Sequence, residues 1–407
     1  MITIEDAQRV ILEHINLIEV EEVPLLQGLG RVIARDVHAP RDIPMSDNSA
    51  MDGFAFSSLS PKCEKWVVAD FLPAGSQLAT PVTTGEAIKI MTGAPIPPWC
   101  DTVVPVEDVI QTADGIRLYN DLKPGSHIRR RGEEVKAHEL VIAAGSVIRP
   151  QEIGLLVSMG NTTIPAYRKV RVAILATGDE LLEAGSMPDS CKIINSNSYS
   201  LAAQVLEAGG EPVLIGIAAD TVTATREKLC EGLQADILIT TGGVSVGDRD
   251  YVKESIEELG GEIIFWKVNM KPGKPVAFAV LEEKPVFALP GNPVAAMVGF
   301  EMFVRPAILT MMGHTGIYKP VIKAVLTEDM KNSGDRPHLV RVLVVLESGI
   351  YHASSSGNQS SASLTSLTKG NALLHLAPNT TIMAGSSAEV ILLDRGFEMS
   401  SSANATA

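Results

Sequence analysis

From residue 169 to residue 314 the chain alternates short apolar runs with helical patterns. The runs fall at 170–176, 212–217, 237–241, 263–268, 276–280 and 286–289, and the helical patterns near 198–208, 224–233, 252–259 and 295–312. Continuous apolar runs, unlike alternating ones, mark strands covered on both faces. Strands interleaved with helices imply βαβ units on a largely parallel sheet. Such a sheet binds its ligands just beyond the carboxyl ends of the strands.

Four of these strand ends carry unusual chemistry. The run 237–241 leads into Gly242-Gly243, followed by Ser245, Asp248 and Asp250. Two adjacent glycines let a backbone approach a ligand closely. A second run, 170–176, ends in Thr177-Gly178-Asp179-Glu180. A third leads into Lys267, Lys271 and Lys274, with Pro272-Gly273 and Pro275 stiffening the loop. The fourth ends in Pro290-Gly291-Asn292-Pro293, where proline at the first helical position opens a long helix and leaves its N-terminus as an anion site. Acids for a cation, with lysines and amides for phosphates, point to a Mg²⁺-assisted site for a phosphorylated ligand.

The rest of the chain has a different texture. Residues 3–18 read as an amphipathic helix with Thr3 as N-cap. Residues 45–136 hold short alternating segments punctuated by Pro, Gly and Asp, a β-rich insert. Helical periodicity returns at 150–159. Beyond residue 319 only short strand patterns occur, at 321–326, 339–346, 350–353, 372–376 and 390–393, which fits closure into a small β-barrel. The expected domains are 1–44 with 137–168 (discontinuous), 45–136, 169–316 and 317–396, with 397–407 a disordered tail.

Composition excludes several classes. A net charge of −14 argues against general nucleic-acid binding. Basic groups gather only locally, at 129–131, in the lysine loop, and at Arg336 and Arg341. The four cysteines show neither a Cys-x-x-Cys pair nor metal spacing, so isolated reduced thiols are expected. The first residues lack a basic leader and the apolar stretch 294–304 is too short to span a bilayer. The expected place is the cytoplasm.

The strings TGDEL, TTGGVSVGDRDY, KPGKP and LPGNP occur in this order, preceded by SAMDGFA at 49–55 and MTGAPIP at 91–97. Together they make the chain resemble the molybdopterin molybdenumtransferase (MoeA) family, which includes the gephyrin E domain. The resemblance runs from the first helix to about residue 394. It implies a multidomain α/β fold whose central domain is MogA-like. It also implies an enzyme that takes adenylylated molybdopterin and molybdate, cleaves the pyrophosphate with Mg²⁺, inserts the metal into the pterin dithiolate and releases AMP. The implied catalytic residues are Asp52, Glu180, Asp220, Asp250, Lys267 and Lys271, with Mg²⁺ held by some of Glu180, Asp220 and Asp250. The implied substrate contacts are Thr92, Gly93, Thr177, Gly178, Gly242, Gly243, Ser245, Lys274, Pro290–Pro293, Arg336, Arg341 and Ser361. A homodimer is implied, with Asp52, Arg341 and Ser361 reaching the site from the second chain, as is contact with the molybdopterin adenylyltransferase. Two departures stand out: Leu339 replaces an aromatic common in the family, and Ser360 replaces the glycine before the family serine.

By themselves several of these residues have plainer readings. Asp179 and Glu180, like Asp220, fit helix capping. Asp52-Gly53 fits a turn, and the lysines fit a solvated loop. Two rival functions also remain: the adenylyltransferase, whose whole fold resembles residues 169–314, and a non-enzymatic gephyrin-like scaffold. Against the first, Val244-Ser245 stands where the adenylyltransferase has Thr-Gly.

Overall fold

The computed structural model describes residues 1–61, 63–77, 81–188, 190–243 and 251–393. Ser245, Asp248, Asp250 and the tail 397–407 lie outside the described residues. The chain divides into two compact units, one of residues 1–22, 30–32 and 165–407, the other of residues 23–29 and 33–164.

The first unit is built on a six-stranded sheet of β1 (Arg171–Thr177), β2 (Glu211–Ala218), β3 (Ile237–Thr241), β4 (Glu262–Trp266), β5 (Ala277–Leu281) and β6 (Lys284–Leu289). The order is β2-β1-β3-β6-β5-β4. All neighbours are parallel up to β6, and β5 alone runs against the rest. Because successive side chains of a strand point to opposite faces, both faces need cover. Val172, Ile174, Ile237, Ile239, Phe287 and Leu289 enter one core. Their neighbours Ala173, Leu175, Leu238, Val286 and Ala288 enter the other, against Leu229, Val252 and Ile256. The covering helices include α2 (Ser196–Glu207), α3 (Val222–Gly232) and α4 (Tyr251–Glu258).

The N-terminal helix α1 (Ile4–Glu13) ends sooner than its periodicity implied, and Thr3 caps it by accepting from Asp6 N–H. Its stripe of Ile4, Ala7 and Ile11 is buried in the core under the sheet, beside Phe300, Val304 and Ile308 of the long helix. That helix, α5, spans Pro293–Met311. Residues 300–304 within it wind as a π-helix. Pro306 has no N–H to offer Met302, and Gln8 Nε2 donates to that orphaned carbonyl at 2.9 Å. By length and composition α5 is able to cross a bilayer, which the shorter apolar stretch read from sequence did not suggest; 72% of its apolar window is buried inside this fold.

Strands β7 (Val321–Leu326), β8 (His338–Glu347), β9 (Ile350–Ser355), β10 (Ala372–Leu376) and β11 (Ser387–Leu392) close into the expected barrel, ordered β7-β9-β8-β10-β11. Val340, Val342, Val344, Leu374 and Val390 fill its interior.

The second unit carries a four-stranded sheet in the order Val67–Leu72, Glu86–Ile90, Gly53–Phe56, Thr102–Pro105. Gly53 does not serve a turn after Asp52, as one reading had it. It begins a central strand, and a Cβ there would lie 2.1 Å from the Val104 carbonyl oxygen. The helix Pro150–Ser158 starts where the Glu152 carboxylate accepts the backbone N–H of Arg149 at 2.8 Å.

Candidate active site

The carboxyl ends of β1, β2, β3 and β6 surround a cleft of about 700 Å³. Thr177, Gly178 and Glu180 come from the first strand end and Asp220 from the second. Gly242 and Gly243 come from the third, and Pro290, Gly291, Asn292 and Pro293 from the fourth. The sequence expectation that one sheet edge gathers these residues is thus realised in space.

The glycine pair also makes a close contact within the protein. Gly242 and Gly243 hold φ of 94° and 61°. A Cβ on Gly242 would stand 2.5 Å from the Thr177 carbonyl oxygen, and one on Gly243 2.9 Å from Thr177 Oγ1. The glycines therefore let two strand-end loops touch each other, and that contact shapes the cleft floor.

The acids sit on loops, not on helix caps. Glu180 is followed by the short strand Leu181–Leu182, which pairs with Ile193–Ile194, so no helix begins there. Helix α3 is capped by Thr221, whose hydroxyl accepts from Ala224 N–H at 3.2 Å. Asp220 is free of that duty. Its backbone N–H donates to Asp179 Oδ1 at 3.1 Å, which ties the loop after β2 to the loop after β1. Neither the Glu180 nor the Asp220 carboxylate has a hydrogen-bond partner among the described residues. Two unencumbered carboxylates on one cleft suit Mg²⁺, which takes one or two carboxylates and completes its shell with phosphate and water. Among the described residues no group of three or more His, Cys, Asp or Glu forms a closed metal cage.

The lysine loop lies outside the cleft lining, which it touches only through Pro275. Lys267 is half-buried in a backbone conformation with φ of 103°, rare for a residue with a side chain, while Lys271 and Lys274 are exposed. The start of the barrel holds this loop. Lys271 N–H donates to the Pro337 carbonyl at 2.8 Å and Leu339 N–H to the Lys271 carbonyl at 2.7 Å. Arg336 Nη1 donates to the Met270 carbonyl at 3.0 Å. Leu339, in place of the family aromatic, is buried in the α/β core. Between the two clamps His338 is buried, and burial with the nearby Lys271 and Arg341 charges brings its pKa down to about 4.

Arg341 is turned into the Ser-rich loop. Its side chain is fully buried, and burial lowers its pKa to about 10. Nε donates to Ser366 Oγ at 3.2 Å, and Nη2 to the carbonyls of Ser360 and Asn358 at 3.1 and 3.4 Å. These bonds fold the Ser-rich loop, which Gln359 straps to the backbone of the same arginine. The loop then reaches the cleft of its own chain. The Ser361 carbonyl accepts from Val294 N–H at 3.0 Å, and Ala362 lines the cleft. The Ser-rich loop thus packs on the start of α5 in its own chain, where the amide of Val294 is already occupied.

In the second unit Asp52 and Thr92, singled out separately in sequence, are in direct contact. Asp52 Oδ1 accepts from the Thr92 N–H and hydroxyl, both at 2.7 Å, and these bonds hold the exposed carboxylate below its usual pKa. Gly93 follows with φ of 82° and donates to the Ser49 carbonyl at 2.8 Å.

The residues the sequence reading missed are Asn195 and Asn197. Asn195 caps α2 by accepting from Ser198 N–H at 3.2 Å. Asn197 Nδ2 donates to Thr241 Oγ1 and to the Gly291 carbonyl, both at 2.8 Å, bridging the third and fourth strand ends. The available signal was an Asn just ahead of a helical pattern.

Known proteins show the same organisation. The model of the MoeA N-terminal region (domain I and II) matches residues 2–160, that of a probable molybdopterin binding domain residues 173–310, and that of the MoeA C-terminal region (domain IV) residues 323–393. Molybdopterin molybdenumtransferase 2 of Mycobacterium tuberculosis (strain CDC 1551 / Oshkosh) is 34% identical over 403 residues, covering 96% of this chain and 99% of that protein. Molybdopterin molybdenumtransferase of Haemophilus influenzae is 34% identical over 384 residues, covering 92% and 94%. Among solved structures, a molybdopterin biosynthesis MoeA protein from Pyrococcus horikoshii OT3 superposes with a TM-score of 0.79 at 30% identity, over 96% of this chain and all 100% of that one. With the strand-end cleft, the barrel and near full-length identity at this level, the chain belongs to the MoeA family.

Proposed function

We propose that the chain is a molybdopterin molybdenumtransferase of molybdenum cofactor biosynthesis, taking adenylylated molybdopterin and molybdate and releasing AMP. The observation that carries this reading is the cleft in which Glu180 and Asp220 face the backbone of Gly242-Gly243 and the opening of α5. Opening a phosphoanhydride with water needs positioning and charge neutralisation more than a nucleophilic side chain. Glu180 and Asp220 are the residues that would hold Mg²⁺, with Asp250 outside the described residues; when bound, the ion neutralises phosphate charge. Lys267 and Lys271 are the proposed contacts for molybdate, and Lys274 and Arg336 for phosphate. The pinned Thr177, Gly178 and Pro290–Pro293 segments orient the substrate. The family models over the N- and C-terminal regions favour this activity over the adenylyltransferase.

The reading includes a homodimer whose second chain brings Asp52, Arg341 and Ser361 to the site, contact with the adenylyltransferase that supplies the substrate, and a place in the cytoplasm. Its support is the resemblance to the family. The test is incubation with adenylylated molybdopterin, Mg²⁺ and molybdate while AMP is followed. No AMP release from folded protein would sink the enzymatic reading and leave the scaffold. Light scattering that finds a monomer at micromolar concentration would remove the shared site.

A further inference from the structure

Asn197 is 8% exposed and its two amide ends have different fates. Nδ2 is committed to Thr241 Oγ1 and the Gly291 carbonyl. A carbonyl only accepts, so the amide has one orientation. Thr241 agrees with it, since its own hydroxyl donates to the Pro290 carbonyl at 3.2 Å and is left to accept from Asn197. Among the described residues Asn197 Oδ1 has no partner. A buried acceptor without a donor is a standing penalty that folded proteins seldom keep without a reason. Asn197 also lines the cleft, among residues that hold the glycines of the third and fourth strand ends.

We propose that Asn197 is a specificity residue of this cleft, its Oδ1 accepting an N–H from the heterocyclic base of the substrate. The inference rests on the reading of the site as one for adenylylated molybdopterin. Within that substrate the phosphates are acceptors, as is molybdate, so none of them satisfies Oδ1. The adenine amine and the pterin ring N–H groups are donors. The ribose hydroxyls are donors as well, and a ribose phosphate without a base separates them from the bases in the test.

Calorimetric titration of the full chain with AMP, 6-hydroxymethylpterin, ribose 5-phosphate and pyrophosphate tests it, using wild type, Asn197→Ala and Asn197→Asp. Loss of one neutral hydrogen bond should raise Kd for one base-bearing probe about three- to tenfold in Asn197→Ala. The probe that responds, AMP or pterin, identifies which base is read. Pyrophosphate should stay within about twofold, because it has no N–H to lose. Asn197→Asp keeps the acceptor while breaking the bond to Gly291, and should recover base binding. A residue that only bridges the loops would weaken pyrophosphate equally and make Asp as harmful as Ala; either result overturns the proposal. So does an unchanged Kd for both bases, or an Asn197 dependence shown by ribose 5-phosphate. If wild type binds neither base-bearing probe, the functional reading itself fails, and this inference with it.

Discussion

Asp179 Oδ1 accepts the backbone N–H of Asp220 at 3.1 Å, so one carboxylate holds the loop that carries another. The arrangement separates two roles that the sequence leaves alike. Asp179 is bound up in positioning, and the Asp220 side chain remains available to a cation. Asp220→Asn should therefore lower AMP release at least roughly a hundredfold, as loss of a charge-stabilising group does. Stability should change by less than about 0.5 kcal/mol, since Thr221 and not Asp220 caps α3. Urea titration beside an AMP assay checks both. Retained activity would take Asp220 out of the site.

Molybdate use should depend on the lysine loop and weaken with salt. The net charge of −14 offers no long-range attraction, so close groups must hold the dianion. A charge-assisted contact contributes roughly 1.5–3 kcal/mol, which makes Lys271→Ala about ten- to a hundredfold weaker in half-saturation. Lys274→Ala should cost less. Rates against molybdate concentration at two ionic strengths give the answer. Unchanged half-saturation in both Lys267→Ala and Lys271→Ala would move the oxyanion elsewhere.

Gly242→Ala should destabilise the fold by about 2 kcal/mol or more. The added Cβ meets the Thr177 carbonyl oxygen at 2.5 Å at a backbone φ of 94°. Thermal unfolding measures it. A melting temperature equal to wild type would mean the two loops separate without penalty.

His338 predicts an acid-side loss of stability with a sign opposite to that of a paired histidine. Its folded pKa of about 4 lies below the ordinary value of 6.5, because burial and the Lys271 and Arg341 charges oppose protonation. The unfolded chain thus binds the proton first. Stability is full above pH 6.5 and falls as pH drops toward 4, by about 3 kcal/mol at most. Urea midpoints at pH 7 and pH 5 should differ more in wild type than in His338→Phe. Equal differences would place the imidazole in water.

The α/β core and the barrel were legible in the chain because side-chain periodicity is a local property. A strand covered on both faces must be apolar along its buried run, as 172–176 and 237–239 are. The strand-end loops stood out for the same reason: glycine, proline and acids cluster within a few residues. What they do there was decided by the tertiary structure. Asp179 meets Asp220 across 41 residues, and Asn197 meets the Gly291 carbonyl across 94. Arg341 reads as a surface cation until the Ser-rich loop wraps it, and the Ser361 carbonyl of that loop meets the Val294 N–H across 67 residues of chain. Hydrogen bonds between distant residues depend on where the packed core brings the loops, and no spacing along the chain encodes that distance.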